Sequence, residues 1–329
     1  MRFINFLPGV FYYLCAIVFH RFGRNESSIK SYDRSLRWRP DFFAAYFDKS
    51  TPLLALGRNE EALEACNQGL VLKPYFAGGH YTKGVILLAL GRNEEALEAF
   101  DHAIKLKPDE VLSRSKVYSR LHEFAYVSKS NALIKLGRNE EAIESCDHAI
   151  KLNTNYDLAY INKGIAFYEL GKNQEAIELY DKAIKLKPDC AEAFLNKGYA
   201  LKDSVKNEEA IELYDKAIKL KPDLALAYNN KGTALKDLGK KDEAIELYSK
   251  AIELKSDFIL AYCNKGKCMQ EIGNESGALG CYNKAYDILK SGNVVQSFYM
   301  KKDDYHDKVV KVLSEDRDAL LLKMKTNKL

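Results

Sequence analysis

The chain has 329 residues, of which 47% are hydrophobic and 29% charged, and its formal net charge is +4 at pH 7. Acidic and basic side chains alternate along most of its length, as on a solvated helical surface, so the sequence argues against a nucleic-acid-binding protein with a continuous basic face. The seven cysteines form an odd count without a Cys-x-x-Cys pair. We therefore expect a reducing compartment and no metal site.

The first element is an apolar stretch. Residues Phe3 to Phe19 carry no charged side chain, whereas Arg2 precedes them and Arg21 follows. Three interpretations stay open: the opening helix of a first repeat with its lead-in, a membrane anchor that leaves the rest in the cytoplasm, or a homodimerisation surface. The stretch is near the lower limit for a bilayer span, and Pro8-Gly9 is expected to interrupt it.

A 34-residue pattern begins at Gly9 and recurs eight times. Residues 1–8 form an apolar lead-in, and a 12-residue insertion at 111–122 separates the third and fourth units. The units span residues 9–42, 43–76, 77–110, 123–156, 157–190, 191–224, 225–258 and 259–292. A fixed period of this size is typical of a solenoid whose units stack and bury one continuous core.

Each unit predicts two helices. On the first, position 4 is aromatic or His, position 8 is small and position 11 is bulky and apolar, as in Phe194, Gly198 and Leu201. Spacings of four and three place these side chains on one helical face. On the second, Ala at position 20 precedes an aromatic residue or Cys at position 24, as in Ala210 and Tyr214. The small residue at position 8 is expected to let the second helix approach closely.

The turn between the helices reads Gly-Lys-Asn or Gly-Arg-Asn in most units. Glycine suits a left-handed helix end, and Asn, as in Asn173, is expected to cap the second helix. Val205 replaces the glycine in the sixth unit, which predicts a strained turn. Pro52 lies inside a predicted first helix and is expected to kink it, at a cost of about 3 kcal/mol.

Five of the seven prolines stand at position 32 and end their units. The pattern aromatic-x-x-x-small-x-x-apolar, then Ala-x-x-x-aromatic, then Pro resembles the tetratricopeptide repeat. The resemblance implies an all-α, right-handed superhelical solenoid of eight helix–turn–helix units whose first helices line a concave groove. It also implies protein partners and no catalysis.

The groove-lining positions of this family are 2, 5, 6, 9, 12 and 13, which we expect to point away from the buried face. Position 6 is Asn in the last four units: Asn162, Asn196, Asn230 and Asn264. Each carboxamide offers a donor and an acceptor, which complements an extended peptide backbone. The row resembles the asparagine ladder in the repeat region of O-GlcNAc transferases. Packing or solubility is the alternative explanation.

Position 13 carries a parallel acidic row. Its members are Glu169, Asp203, Asp237 and Glu271. Such a row favours basic or neutral extended segments, and a solvated face is the alternative. Co-chaperone members of the family hold a C-terminal carboxylate with Lys, Asn and Arg. Here that pattern finds Asn131 and Asn162 but meets Val127, Glu192 and Asn196 where cations are needed, so we expect no chaperone-tail binding.

Two segments break the repeat pattern. Residues 111–122 hold Arg114, Lys116 and Arg120 without an acid, which is consistent with either a basic handle for a partner or a tolerated helical extension. Residues 293–329 alternate apolar and charged side chains. We expect them to form amphipathic helices that cap the last unit, with an interaction tail as the alternative.

No catalytic constellation is evident. The sequence lacks a phosphate-binding glycine loop, a Gly-x-Ser-x-Gly and a His-Glu-x-x-His. We therefore expect a cytoplasmic, non-enzymatic scaffold that needs no cofactor and binds an extended segment of a protein partner. The alternative is a membrane-associated adaptor anchored by residues 3–19.

Overall fold

The computed structural model describes residues 2–106, 120–290 and Arg317, and in this part of the chain it contains sixteen α-helices and no strand. Residues cluster into two compact units, Met1–Thr154 and Asn155–Leu329. The first holds α1 (Arg2–Arg21), α2 (Asn25–Trp38), α3 (Phe43–Ala55), α4 (Asn59–Leu72), α5 (Ala77–Ala89), α6 (Asn93–Lys105), α7 (Leu121–Lys135) and α8 (Asn139–Leu152).

The second compact unit continues the same alternation. It holds α9 (Asp157–Glu169), α10 (Asn173–Leu186), α11 (Ala191–Asp203), α12 (Asn207–Leu220), α13 (Ala225–Asp237), α14 (Lys241–Leu254), α15 (Ile259–Glu271) and α16 (Glu275–Lys290). Within each unit every odd-numbered helix packs against the helix that follows it. Successive pairs of one unit are joined by contacts of α2 with α3, α4 with α5, α6 with α7, α10 with α11, α12 with α13 and α14 with α15. The predicted all-α architecture of helix pairs is confirmed for the described residues.

The close contact within each pair joins position 8 to position 24. A Cβ built on Gly198 would lie 2.8 Å from Cε1 of Tyr214, and one on Gly232 would lie 2.9 Å from Cε1 of Tyr248. The aromatic ring therefore rests on the glycine backbone. Where position 8 is Ser, position 24 is the smaller Cys, and these four side chains are buried: Ser50, Cys66, Ser130 and Cys146.

Position 3 of the first helix is also buried in most units, although it was not among the expected core positions 4, 8 and 11. Position 3 is an alanine without any exposed surface in six units: Ala45, Ala125, Ala159, Ala193, Ala227 and Ala261. The aromatic side chains at position 4, such as Tyr160 and Tyr228, are only half-buried. A methyl group fits where two first helices and a second helix meet, whereas a ring at position 4 reaches the edge of that contact.

Lysines at position 7 join successive repeats. The Lys197 ammonium lies 2.6 Å from the Asp181 carboxylate at position 25 of the preceding unit, and Lys231 meets Asp215 at the same distance. The stem of each lysine packs along the helix while its charge finds a partner near the surface. These ion pairs connect each repeat with the one before it.

The turns have the predicted backbone at their glycines and a strained residue at Val205. Seven turn glycines have φ between 71° and 83°, and Val205 has φ of 61°. The predicted capping is wrong for most units. Arg58 and Lys206 occupy the N-cap without a side-chain capping bond, and Asn59 and Asn207 are already the first helical residues. The chain enters the helix one residue earlier than expected.

Among the turns of the described residues, only the last caps its helix in the expected way. The Asn274 side-chain oxygen accepts a 2.9 Å hydrogen bond from the backbone N–H of Gly277, at the start of α16. In the first turn the asparagine stands one residue later, as the first residue of α2, and the side-chain oxygen of Asn25 lies 2.8 Å from Nδ1 of His20.

The N-terminal helix runs without a break from Arg2 to Arg21 and includes Pro8, so the expected interruption is absent. It packs on α2, whose Ser28 and Ser35 hydroxyls donate to the carbonyls of Ala16 and Gly9. One apolar row stays exposed: Leu7, Phe11, Leu14 and Val18. Within the described residues, no helix combines the length and the apolar character needed to cross a bilayer.

The other unusual segments are only partly described. Pro52 is buried within α3, which continues to Ala55. Most of the insertion lies outside the described residues, and α7 begins at Leu121, inside the insertion's last residues. The proposed C-terminal cap also lies outside them, except for Arg317, whose guanidinium is 4.4 Å from the ring centroid of Tyr286.

Candidate functional site

Four successive first helices bring equivalent positions together. In the second compact unit α9, α11, α13 and α15 contact one another in order. The surface that their positions 6, 9, 12 and 13 form is here named the first-helix face. It carries both predicted rows, the asparagines at position 6 and the acids at position 13.

The asparagine row lies on the floor of this face. Asn162 and Asn264 are half-buried, whereas Asn196 and Asn230 keep only 5% and 8% of their surface exposed. Buried amides need hydrogen-bond partners, so their orientation is constrained far more than that of a solvated asparagine.

On α9, α11 and α13 position 5 does not line the first-helix face, contrary to expectation. Ile161 and Leu195 at this position are buried, and so is Asn229 with 1% exposure, whereas Cys263 on α15 is half-buried. Because neighbouring first helices pack directly against one another, the side chain one residue before the asparagine row points into that contact. The accessible face is therefore narrower than the family's set of lining positions.

Asn229 is a residue that the sequence analysis missed. Its side-chain oxygen accepts a 3.0 Å hydrogen bond from Nδ2 of Asn264 in the next repeat, and its own Nδ2 donates to Oδ1 of Asn230 at 3.1 Å. The available signal was a single polar residue in a column of otherwise apolar or aromatic side chains, such as Ile161 and Leu195.

The acidic row is exposed and partly paired. Lys202 lies 3.7 Å from Asp203 and 3.8 Å from Asp237 of the next repeat, and Lys241 lies 3.2 Å from Glu271. The fourth member, Glu169, has no ion pair within the described part of the chain. The row therefore keeps a local excess of negative charge at the end formed by α9.

Two tyrosines stand beside that end. The rings of Tyr168 and Tyr199 meet edge to face with centroids 5.2 Å apart, and the Tyr168 hydroxyl donates to the Asp203 carboxylate. Although Glu169 is exposed, partial desolvation by the groups around it raises the pKa of its carboxyl. Burial, with the nearby Asp203 carboxylate, also raises the pKa of Tyr199. Aromatic faces beside carboxylates form a surface that favours a cation or a polar backbone.

Asn131 does not belong to this arrangement. It is half-buried on α7 in the first compact unit, at position 9. Val127, which occupies a position where the co-chaperone pattern needs a cation, is buried and apolar.

The described residues contain no group of three or more His, Cys, Asp or Glu side chains arranged to hold a metal ion.

The comparisons with known proteins agree with this architecture. Models of the tetratricopeptide repeat match residues 16–75 and 161–225, 225–258, 131–171 and 77–110. No curated protein matches the chain.

Several solved structures are similar to part of the chain. MamA is 27% identical over 50% of this chain and 95% of its own, with a TM-score of 0.44. YrrB, a TPR protein with an unusual peptide-binding site, is 22% identical over 60% of this chain and 95% of its own, at 0.43. MamA from Desulfovibrio magneticus RS-1 is 23% identical over 53% and 98%, at 0.46. TM-scores below 0.5 give no residue of this chain a role. The family matches and the eight helix pairs show that the chain is a member of the tetratricopeptide repeat family.

Proposed function

We propose that this protein is a non-catalytic scaffold that binds an extended segment of a protein partner on the first-helix face of its last four repeats. The observation that carries the proposal is the asparagine row, in which four successive first helices each place one carboxamide at the same position, half-buried at Asn162 and Asn264 and more deeply buried at Asn196 and Asn230. Extended peptides have unpaired backbone N–H and C=O groups at regular intervals. A row of amides can pair with both kinds of group whatever the side chains of the partner are.

The flanking acids and tyrosines support a preference among such segments. Glu169 lacks an ion pair within the described residues, and Tyr168 and Tyr199 offer ring surface beside it. A segment that carries Lys or Arg near α9 would gain both a charge pair and a ring contact. We therefore propose basic or neutral segments as partners and expect acidic ones to be disfavoured.

The test begins with peptides selected from a random, phage-displayed library of linear 12-residue sequences on the full chain. Affinities of the synthetic peptides are then measured by fluorescence polarisation. A variant with Asn162, Asn196, Asn230 and Asn264 all changed to Ala should bind at least about tenfold more weakly, because each lost hydrogen bond contributes about 1 kcal/mol. Circular dichroism checks that the variant is folded.

The matched control changes four side chains in the same repeats on the second helices. Lysines at position 26 are all exposed: Lys182, Lys216, Lys250 and Lys284. Their change to Ala should leave the affinity within about twofold, since they lie off the first-helix face. Equal affinities of the wild type and the asparagine variant would reject the proposal.

A second candidate rests on the exposed apolar row of α1. Phe11 and Leu14 are 62% and 54% exposed on a helix whose other side is packed, and such a patch is typical of an interface. We propose association through α1, either with a second copy or with a lipid surface. Changing Phe11 and Leu14 to Glu should abolish dimers in sedimentation or flotation with lipid vesicles. This candidate would be excluded if the wild-type chain sedimented as a monomer and did not float with lipid vesicles.

A further inference from the structure

We infer that Asn229 is a positioning residue that sets which atom Asn230 and Asn264 present to a bound segment, so that the last two repeats read one backbone C=O and one backbone N–H. The inference rests on the proposed function and names which groups of the partner backbone these repeats recognise. Asn229 itself is 1% exposed and does not reach a ligand.

The three side chains form a directed chain of hydrogen bonds, here named the amide chain. Nδ2 of Asn264 donates to Oδ1 of Asn229, and Nδ2 of Asn229 donates to Oδ1 of Asn230. A carboxamide carries a donor at one end and an acceptor at the other. Each hydrogen bond in the amide chain therefore occupies either the Nδ2 or the Oδ1 end of a carboxamide and leaves the other end for another partner.

The consequence differs for the two outer members. Asn230 has its oxygen engaged and keeps Nδ2 as a donor, whereas Asn264 has Nδ2 engaged and keeps Oδ1 as an acceptor. Within the described residues, no other side-chain hydrogen bond occupies these two atoms. A donor and an acceptor on successive helices match a C=O and an N–H of one extended segment.

The two preceding repeats have no carboxamide at position 5. Position 5 is Ile161 on α9 and Leu195 on α11, both buried. These side chains have no polar atom, so they cannot orient the amides of Asn162 and Asn196. The Thr233 hydroxyl donates to the backbone carbonyl of Asn229 at 3.0 Å, one helical turn away on α13. What holds the Asn229 carboxamide is its burial and its two bonds in the amide chain.

The experiment uses the selected 12-residue peptide, resynthesised with each backbone amide replaced in turn by an ester. An ester removes one N–H donor without changing the side chain. With the wild-type chain, the ester that removes the N–H facing Asn264 should weaken binding about tenfold, because it leaves an acceptor unpaired. Binding of the same ester series to the Asn264→Ala variant identifies which peptide position this is. In that variant the ester facing residue 264 should weaken binding by less than about twofold, because the acceptor is already absent.

The decisive variant is Asn229→Leu, which installs the residue that α11 has at this position. Circular dichroism checks that the variant is folded. Asn264 is no longer oriented in it, so the penalty of that one ester should drop to about twofold or less. Penalties at the remaining positions should persist. If Asn229 only stabilised the fold, its replacement would not selectively remove the loss of affinity that one ester causes.

Each outcome separates the inference from the proposed function. If Asn229→Leu keeps the full tenfold penalty at the Asn264-facing position, the inference is overturned while groove binding stands. If the peptide binds the wild type and the four-asparagine variant equally, the proposed function fails and the inference falls with it. Should Asn229→Leu be unfolded, Asn229→Ala removes the same bonds and is judged by the same penalty.

Discussion

At the scale of single residues, the contact between positions 8 and 24 decides how closely the two helices of a repeat approach. Glycine opposes an aromatic ring in five units, and Ser opposes Cys in two. The sequence predicted a small residue at this contact. It did not predict the pairing of sizes, because positions 8 and 24 are 16 residues apart in the chain and their contact depends on the distance between the two helices.

Gly198→Ala tests this contact. The new Cβ would lie 2.8 Å from Cε1 of Tyr214, a ring without exposed surface, so the ring must shift. Overpacking should outweigh the gain in helix propensity and lower the free energy of unfolding by about 1–2 kcal/mol. Urea unfolding followed by circular dichroism measures the change.

The control is Gly280→Ala, a helical glycine in α16 whose added Cβ would meet nothing within 4 Å. It should raise the free energy of unfolding by about 0.5–1 kcal/mol, since only the propensity gain remains. If both substitutions changed stability in the same direction, the close contact would not be what requires glycine at position 8.

Val205 provides a second residue-scale prediction. It is 81% exposed with φ of 61°, a conformation that costs a β-branched residue more than glycine. Val205→Gly should therefore stabilise the protein by about 0.5–1 kcal/mol. Val71→Gly, at an exposed site inside α4, should instead destabilise it by a few tenths, about 0.4 kcal/mol. Thermal unfolding of the two variants gives opposite shifts if backbone strain is the cause.

At the scale of elements, charged side chains organise the turns of the first compact unit. Arg58, Arg92 and Arg138 each hold the glutamate three residues later in a two-pronged hydrogen bond with distances of 2.6 to 2.7 Å. The sequence repeats Gly-Arg-Asn-Glu-Glu in these turns but does not reveal which glutamate is engaged. The answer depends on the turn geometry, which places the second glutamate beside the guanidinium.

The pKa values of these glutamates test the pairing. The hydrogen bond from Arg92 lowers the pKa of Glu95. The Arg92–Glu95 pair thus stabilises the folded protein above the ordinary glutamate pKa. This stabilisation is lost as the pH falls through the lowered pKa that Glu95 has in the folded state. Arg92→Met should return the pKa of Glu95 to its ordinary range in a carbon-13 NMR titration. The pKa of Glu141, lowered by Arg138, should stay where it was, and a Glu95 pKa unaffected by Arg92→Met would refute the pairing.

At the scale of the whole molecule, the repeat period predicted the helix pairs, their order and the row of asparagines. Two features escaped. The burial of position 5 depends on contact between first helices of neighbouring repeats, and the amide chain depends on a single polar departure at Asn229. Periodicity describes what the repeats share, so a feature built from one unusual residue is invisible to it.

The two compact units also differ in the chemistry of their first helices. In Met1–Thr154 position 12 is apolar in three of the four first helices, at Leu54, Leu88 and Ile134, whereas in Asn155–Leu329 it is polar in all four and includes Tyr168, Lys202 and Lys236. A polar segment would find more hydrogen-bond partners at this position along the second set. This difference supports assigning partner binding to the last four repeats.

The most direct test of the account maps where a bound segment lies. The selected peptide is synthesised with a diazirine side chain at each position in turn, irradiated with the full chain, and its attachment sites are identified by mass spectrometry. The account predicts attachment along α9, α11, α13 and α15, with little on the second helices between them. Attachment mainly to α10, α12, α14 and α16, or to α1–α8, would contradict the assignment of the first-helix face as the binding surface.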